Sequence, residues 1–332
     1  MSAKRRYDLV SLGEPLLRLS PPGFGQLRAA STLEIRPCGA QANLPANLAV
    51  LGWQTALLTK LPDNPLGQLV FEAYRSHGVD VAWVRSVPGG KMGLTFVEFA
   101  AAPRTPLAIY DRVGSAASTI GPEDFDWPAI LSQAEFAYTD GIFPAISPSC
   151  LAATQAFVSA ARKAGCTVVL DVNYRRSLWP VEQARAALEP LLEQVDILVT
   201  NRDVSERLFG LSGDNEALLR ASAARFGCKV VCLTSRQTFP GNRGSWQSWA
   251  LEGTELMQGR RQEFDIVDRY GTGDAWLAGF LYARCLHGTA YALEFANAAI
   301  ALAHTAFGDV VRMSSEQIEA VMEGRASLGA QR

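Results

Sequence analysis

Four short apolar runs lie between residues 134 and 233: Phe136-Ala-Tyr-Thr139, Val168-Val-Leu-Asp-Val172, Ile197-Leu-Val-Thr200 and Val230-Val-Cys-Leu233. The stretches between them are helical in character, over Ser149–Ala164, Val181–Glu193 and Asn215–Phe226. Strands that are apolar throughout and alternate with helices are typical of a parallel sheet covered on both faces. The sequence therefore predicts an α/β fold with a doubly wound, mostly parallel sheet. Its ligand site is expected at the carboxyl ends of the strands.

The first third of the chain has a different pattern. Leu9–Leu12 predicts a buried strand, whereas Leu16–Pro37 is rich in proline and glycine, and Met92–Phe99 and Leu107–Arg112 predict short strands. The helical segments between them cover Asn43–Val50 and Leu66–His77. We expect a single domain over residues 1–332, with a small β lid of about residues 15–38 and 91–113 inserted into it. Such a lid closes over a ligand and excludes water; the alternative is a set of edge strands.

The bulk composition points to a small soluble metabolite as the partner. The 332 residues are 48% apolar and 19% charged, which is enough to build a buried core. A net charge of -2 gives no electrostatic basis for binding nucleic acid or an anionic membrane. The six cysteines form no Cys-x-x-Cys pair and are expected to be buried free thiols. With no apolar leader or membrane-length run, we expect a cytoplasmic protein.

The run Asp268-Arg-Tyr-Gly271-Thr-Gly273-Asp274 is the most informative for chemistry. Glycines allow close backbone approach, and amides at a helix N-terminus stabilise developing negative charge. An acid at that helix start would stay ionised through the helix dipole and could accept a proton. The spacing alone fits equally well a turn with an N-capping Asp. A dinucleotide fingerprint is absent here, and a Walker A loop is absent from the whole chain.

This run resembles the C-terminal signature of the ribokinase-like (PfkB) carbohydrate kinases, Asp-x-x-Gly-Ala-Gly-Asp, with Thr272 in place of the usual Ala. The resemblance implies that Asp274 is the catalytic base of an ATP-dependent sugar kinase. It also implies that the Gly271, Thr272 and Gly273 turn forms the anion hole for the transferred phosphoryl group. The similarity extends from about residue 8 to residue 313.

The early run Cys38-Gly39-Ala-Gln-Ala-Asn43 resembles the N-terminal signature of the same family, Gly-Gly-x-x-x-Asn. Cys38 replaces the first Gly. The resemblance implies that sugar hydroxyls are held by the backbone at Gly39 and by the side chain of Asn43. A helix cap is the alternative role for Asn43.

Three segments are similar to those of 2-keto-3-deoxygluconate kinases: Leu12-Gly-Glu-Pro15 with Arg18-Leu-Ser-Pro-Pro22, Tyr110-Asp-Arg112, and Asp171-Val-Asn-Tyr-Arg175. The similarity implies that Tyr110, Arg112 and Arg175 meet the acid sugar; an exposed lid charge is the alternative for Arg112. Thr95 lies on the lid strand and is a candidate to face the sugar. A planar guanidinium binds a carboxylate through two hydrogen bonds, which a neutral sugar such as fructose would not require. The expected reaction is phosphorylation of the terminal hydroxyl of 2-keto-3-deoxygluconate. Fructokinase or another sugar kinase, and a catalytically silent homologue, are the alternatives.

The nucleotide side departs most from the family. Asn201-Arg-Asp-Val-Ser-Glu206 stands in place of Asn-x-x-Glu, which orders water around magnesium; Asp203 or Glu206 are the candidate acids. Thr234 and Arg236, with a loop through Asn242–Trp246, replace a Gly-x-x-Gly turn. We expect ATP contacts from Asn173, Arg175, Asn201, Thr234, Arg236, Gly271, Gly273 and Asn297. Asn297 lies on a helix of small residues over Leu293–Ala306, for which a plain packing role is the alternative.

ATP and Mg²⁺ are the expected cofactors, and the expected partners are small molecules, a sugar acid and ATP. No protein ligand to a metal is assigned, because His77, His287 and His304 have no metal-binding spacing. Lid sheets in this family often pair, so a homodimer through the lid is expected.

Overall fold

The structure, a computed structural model, describes residues 5–101 and 103–325. Its strands are β1 Tyr7–Leu12, β2 Leu16–Ser20, β3 Glu34–Cys38, β4 Thr55–Pro62, β5 Val84–Val87, β6 Leu94–Glu98, β7 Leu107–Asp111, β8 Ala134–Asp140, β9 Thr167–Asp171, β10 Ile197–Asn201, β11 Val230–Phe239, β12 Arg243–Glu252, β13 Glu255–Gln258 and β14 Gln262–Asp265. Its helices are α1 Ala40–Val50, α2 Pro65–Ser76, α3 Trp127–Leu131, α4 Pro148–Lys163, α5 Val181–Leu192, α6 Arg202–Phe209, α7 Asn215–Phe226, α8 Thr272–His287, α9 Thr289–Ala303 and α10 Ser315–Met322.

The main sheet has ten strands and is mostly parallel, which confirms the predicted fold class. Its strand order is β13-β12-β11-β10-β9-β8-β1-β4-β5, and β14 pairs with β12. The strands from β11 to β5 run parallel, while β12 joins β11, β13 and β14 in antiparallel pairs. Side chains of α3 to α7 pack on one face, and those of α1, α8, α9 and α10 on the other. Both faces are thus covered, as the continuous apolar strands require.

A second sheet of four strands has the order β3-β2-β6-β7. Its central strands β2 and β6 are parallel, and the two edge pairs are antiparallel. Arg18, Thr95 and Tyr110 lie side by side across it. All three line the same cavity. The neighbouring row of residues therefore points to the opposite face of this sheet, because strand side chains alternate.

Local signals set several element boundaries. Helix α7 begins after Asp214, whose carboxylate accepts a hydrogen bond from Ala217 N at 2.8 Å, and ends at Gly227 in the left-handed conformation. These are ordinary start and stop signals, and α7 has the predicted bounds.

The expected loop through Asn242–Trp246 is wrong. Asn242 forms a tight turn with positive φ, and residues 243–252 return as β12 with an apolar inner face.

The cysteine prediction holds for five of the six thiols. Cys285 is the exception, since it is exposed on α8. Within residues 5–101 and 103–325, no helix has both the length and the apolar character needed to cross a membrane.

Candidate active site

A cavity of about 1020 Å³ lies between the four-stranded sheet and the carboxyl ends of the main parallel strands. Its wall includes Asp171 at the end of β9, Thr200 in β10 and Thr234 in β11. Most of the residues predicted to bind substrates line it: Gly39, Asn43, Thr95, Tyr110, Arg112, Asn173, Arg175, Asn201, Thr234, Arg236, Gly271, Thr272, Gly273 and Asp274. The topology thus brings together residues from opposite ends of the chain at the edge where parallel sheets bind ligands.

The turn before α8 is built around Gly271. It has φ +70°, and a Cβ there would lie 2.2 Å from Asp309 O, so no other residue fits without displacing backbone. Helix α8 begins at Thr272, and the amides of its first turn have no partner within the helix. The Thr272 side chain is buried and donates to Arg269 O at 3.0 Å. Around Gly273 a Cβ would meet no atom of the described residues within 4 Å, so the turn is open there to an anion.

Asp274 follows this turn and is half-buried. Its carboxylate accepts a hydrogen bond from Asn43 Nδ2 at 2.8 Å. Burial raises the pKa of Asp274 to about 8, and the nearby carboxylates of Asp309, Asp140 and Asp171 act in the same direction. The expectation that the helix dipole keeps this acid ionised is therefore wrong, because desolvation outweighs the dipole. A carboxylate with a raised pKa is a stronger base once deprotonated.

This raised pKa predicts a pH dependence for any reaction in which Asp274 accepts a proton. Only the carboxylate form is active, so kcat/KM should rise by up to tenfold per pH unit and level off above about pH 8. kcat/KM is measured at each pH by direct detection of the product. No coupling enzymes are used, because their own pH dependence would distort the profile. A profile that is already flat from about pH 5 upward would contradict a raised pKa in the free enzyme.

Asn43 is a direct partner of Asp274. Its side chain is 1% exposed, and its Oδ1 accepts from Tyr74 Oη at 3.3 Å. Gly39, not Asn43, is the N-cap of α1, which excludes the helix-cap alternative. With both polar atoms bonded to protein groups, the Asn43 side chain orients Asp274. Its contact with a sugar hydroxyl stays a prediction.

The lid side of the cavity presents Thr95 and Tyr110. Thr95 is 4% exposed, and its Oγ1 has no hydrogen-bond partner among the described residues, although it lines the cavity. A buried hydroxyl without a partner is costly, so a bound polar ligand is its natural partner. Tyr110 is half exposed, with its ring centroid 5.9 Å from the guanidinium carbon of Arg112.

Arg112 is buried and already carries a counter-ion. Its Nε donates to Glu14 Oε2 at 2.8 Å, its Nη2 donates to the same oxygen, and Ser115 Oγ donates to the other one. Glu14 was not predicted as a site residue, although it belongs to the Leu12-Gly-Glu-Pro15 segment. This pair fixes the guanidinium in place and leaves little net positive charge at Arg112.

The part of the cavity where nucleotide contacts were expected carries three guanidinium groups without carboxylate partners among the described residues, on Arg175, Arg236 and Arg269. Arg269 was not predicted as a site residue, although its position inside the glycine run could have indicated it. Asn201 caps α6, because its Oδ1 accepts from Val204 N at 2.9 Å. Asn173 Nδ2 donates to Asp140 at 3.0 Å. Three arginines without carboxylate partners among the described residues suit anionic ligand groups, either phosphates or a carboxylate.

Asn297 is placed differently from the prediction. It is fully buried in α9, accepts from Ser248 Oγ at 2.6 Å and Trp276 Nε1 at 3.0 Å, and donates to Arg260 O at 2.9 Å. It does not line the cavity. The small-residue helix that carries it is a packing helix, so the expected ATP contact of Asn297 is wrong for this structure.

The comparisons with known proteins agree with this geometry. Residues 8–315 match the model of the pfkB family carbohydrate kinases. The chain belongs to this family. It is a carbohydrate kinase.

Two curated relatives and one solved structure illustrate the similarity. The 2-dehydro-3-deoxygalactonokinase of Haloferax volcanii is 35% identical over 96% of this chain and 97% of its own. The 2-dehydro-3-deoxygluconokinase of Thermoproteus tenax is 33% identical over 92% of this chain and 91% of its own. The crystal structure of the 2-dehydro-3-deoxygluconokinase of Thermotoga maritima has a TM-score of 0.92 at 32% identity, covering 97% of this chain and 100% of that one.

Proposed function

We propose that this carbohydrate kinase transfers the γ-phosphoryl group of ATP to the terminal hydroxyl of 2-keto-3-deoxygluconate. The observation that supports it most is the position of Asp274, directly after the open Gly271–Gly273 turn and opposite a lid that carries arginine. The 2-dehydro (2-keto) sugar acids named for the Haloferax and Thermoproteus relatives support the choice of an acid sugar. The galactonate epimer is the nearest competitor, because it differs at one carbon only.

The proposed mechanism uses a single base. Asp274, as the carboxylate, takes the proton of the sugar hydroxyl while the hydroxyl oxygen forms its bond to the γ-phosphorus and the bond from that phosphorus to ADP breaks. Charge on the transferred group is spread over its outer oxygens. The first-turn amides at Thr272 and Gly273 are the groups we assign to those oxygens. The protein thus supplies positioning and charge stabilisation rather than covalent chemistry.

Mg²⁺ is proposed as the ion that accompanies ATP. Within the described residues no three His, Cys, Asp or Glu side chains group to hold a metal. Asp203 and Glu206 line the cavity next to Asn201. Hard oxygen donors at a cavity wall fit Mg²⁺, which keeps most of its waters and binds mainly through phosphates. We assign Glu206 to the water shell of Mg²⁺. Its carboxylate lies 3.0 Å from Arg202 Nη1. When bound, the ion neutralises phosphate charge.

Arg175 is the residue we assign to the substrate carboxylate. Arg112 is balanced by Glu14, whereas Arg175 is exposed at the cavity wall and unpaired among the described residues. Replacing Arg175 by Ala should lower kcat/KM for the acid sugar about tenfold more than for fructose, because one charge-assisted contact is lost only with the acid. The measurement is direct competition between the two sugars. Arg236→Ala is the matched control, since it should affect both sugars alike; an equal effect of Arg175→Ala on both would refute the assignment.

Fructokinase and a catalytically silent homologue are the two alternatives. A fructokinase from Xylella fastidiosa has a TM-score of 0.78 at 20% identity, which shows a shared fold alone. The altered Asn201–Glu206 segment favours a catalytically silent homologue. Competition between the acid sugar and fructose distinguishes the proposed function from a fructokinase. Release of ADP distinguishes it from a catalytically silent homologue.

We also propose that the lid, about residues 15–38 and 91–113, closes over the sugar and pairs two copies of the chain. Ile35, Leu19, Phe96 and Ile109 form a row on the face opposite to the cavity. Ile35 and Ile109 are 46% and 49% exposed, so this face has apolar surface to bury. Light scattering after gel filtration should give the mass of a dimer, and Ile35→Asp with Ile109→Asp should give the monomer. A monomeric wild type would contradict the pairing.

A further inference from the structure

Arg18 lies on the lid strand β2 but is held by the opposite side of the cavity. Its side chain is 1% exposed. Nη2 lies 2.7 Å from Asp268 Oδ2, and Nη1 lies 2.8 Å from Asp309 Oδ1. The two carboxylates come from different loops, so the planar fork of one guanidinium joins three separate segments of the chain.

Asp268 is the first residue of the glycine run and anchors its geometry. Besides Arg18, it accepts hydrogen bonds from Tyr270 N at 2.9 Å and Gly308 N at 3.1 Å. Its carboxylate therefore holds the start of the 268–274 turn against the 307–309 segment. An ionised carboxylate makes these backbone contacts stronger than a neutral group would.

Asp309 is connected to the proposed base, Asp274, through Asn43. Its backbone is the surface against which Gly271 packs, since Asp309 O is the atom nearest to a Cβ placed on Gly271. Its Oδ2 lies 3.5 Å from Asn43 Nδ2, and that amide group donates to Asp274. A shift of Asp309 would therefore move both the anion-binding turn and the hydrogen-bond partner of Asp274.

The surroundings of Arg18 exclude water. Rings of Phe99 and Tyr270 lie 5.4 Å and 5.3 Å from its guanidinium carbon. A buried ion triad of this kind is weak evidence for stability, because desolvation offsets the attraction between the charges. Its geometry, which connects lid, turn and base, indicates another use.

We propose that Arg18 is a positioning residue for phosphoryl transfer, which holds Asp268 and Asp309 so that the Gly271–Gly273 amides and Asp274 are aligned when the lid strand is in place. The inference rests on the proposed role of Asp274. Arg18 contributes two separable properties, a positive charge and a fork that reaches two carboxylates at once.

The charge acts on Asp274 through Asp309. The titratable groups facing Asp274 are Asp309, Asp140 at the end of β8, Asp171 at the end of β9, and the phenols of Tyr74 and Tyr138. All of these are acidic. Arg18 balances Asp309, which raises the pKa of Asp274 more than the other two carboxylates do. Removal of Arg18 leaves Asp309 uncompensated and Asp274 harder to ionise.

Three variants separate the two properties. Arg18→Met should lower kcat about 10²-fold with little change in the KM for ATP, because the turn is misplaced. It should also displace the rise of kcat/KM to higher pH by about one unit. Arg18→Met with Asp309→Asn removes both charges, so the rise should return to its wild-type pH while kcat stays low. Arg18→Lys keeps the positive charge but lacks the planar guanidinium that reaches both carboxylates. It should therefore lower kcat about tenfold with an unchanged pH profile.

Arg104→Met is the matched control. Arg104 is another lid arginine, paired with Glu98 at 3.2 Å but outside the cavity, and its loss should leave kcat and the pH profile unchanged. Thermal unfolding reports on folding, and if Arg18→Met fails to fold, the double variant and Arg18→Lys decide. Wild-type kcat in the folded variants would overturn the proposal, and so would an Arg18→Met enzyme whose lowered kcat comes with the wild-type pH profile. An active Asp274→Asn enzyme would instead refute the proposed base.

Discussion

Asp274→Asn is expected to lower kcat by about 10²–10⁴-fold, because an amide cannot accept the proton of the sugar hydroxyl. The shape of the side chain is retained, and its oxygen can still accept the hydrogen bond from Asn43 Nδ2. ATP binding should therefore change little. Single-turnover kinetics report on the chemical step, and isothermal titration calorimetry reports on the affinity for ATP.

Asp171→Asn is the matched control for this experiment. Asp171 lines the same cavity, and burial raises its pKa to about 7, so it is the other carboxyl with the properties of a base. Its Oδ1 accepts from Asn173 N at 3.0 Å, which gives it a local structural task. We expect a smaller loss of kcat than with Asp274→Asn. If Asp171→Asn abolishes turnover while Asp274→Asn is active, the base is Asp171 and the proposal is wrong.

Gly271→Ala has the second largest expected effect. The new Cβ would lie 2.2 Å from Asp309 O at φ +70°, and since a Cβ is fixed by its own backbone and the oxygen is a backbone atom, the turn must move. The amides that we assign to the transferred phosphoryl group move with it. Losing one such donor typically costs about 10²–10³-fold in kcat. Steady-state kinetics and thermal unfolding of the same preparation measure both consequences.

Gly227→Ala is the control for backbone strain alone. Gly227 ends α7 with the same φ of +70°, but nothing lies within 4 Å of its Cβ position. Both variants pay the strain of a non-glycine residue with positive φ, which is about 1 kcal/mol. Only Gly271→Ala adds the collision. Equal kcat in the two variants would show that the turn does not position the reacting group.

The sheet and its helices could be predicted from local patterns. The apolar runs around Val168 and Val230 are buried on both faces, as continuous apolar strands are in a parallel sheet, and the capping signals of α7 gave its bounds. The β11–β12 hairpin was missed because Asn242–Trp246 contains Gly and Ser, which resemble a loop. Its pairing comes from alternate buried residues further along β12.

The electrostatics of the site could not be predicted in the same way. The run around Asp274 shows a helix start, which favours an ionised carboxylate, but its pKa is set by burial among groups from four other segments. The contact between Arg18 and Asp268 joins residues that are 250 positions apart. No local pattern records such a pair. The position of the Asp274 side chain in the cavity was predictable, whereas the partners that tune it needed the tertiary structure.

The central claim is tested most directly by ADP release from the purified enzyme with a panel of sugars. The panel contains 2-keto-3-deoxygluconate, its galactonate epimer, fructose and ribose, each with ATP and Mg²⁺. The proposal predicts the highest kcat/KM with 2-keto-3-deoxygluconate and at least about a hundredfold lower value with the neutral sugars, since these lack the carboxylate. Preference for a neutral sugar, or no ADP release with any sugar, would contradict it.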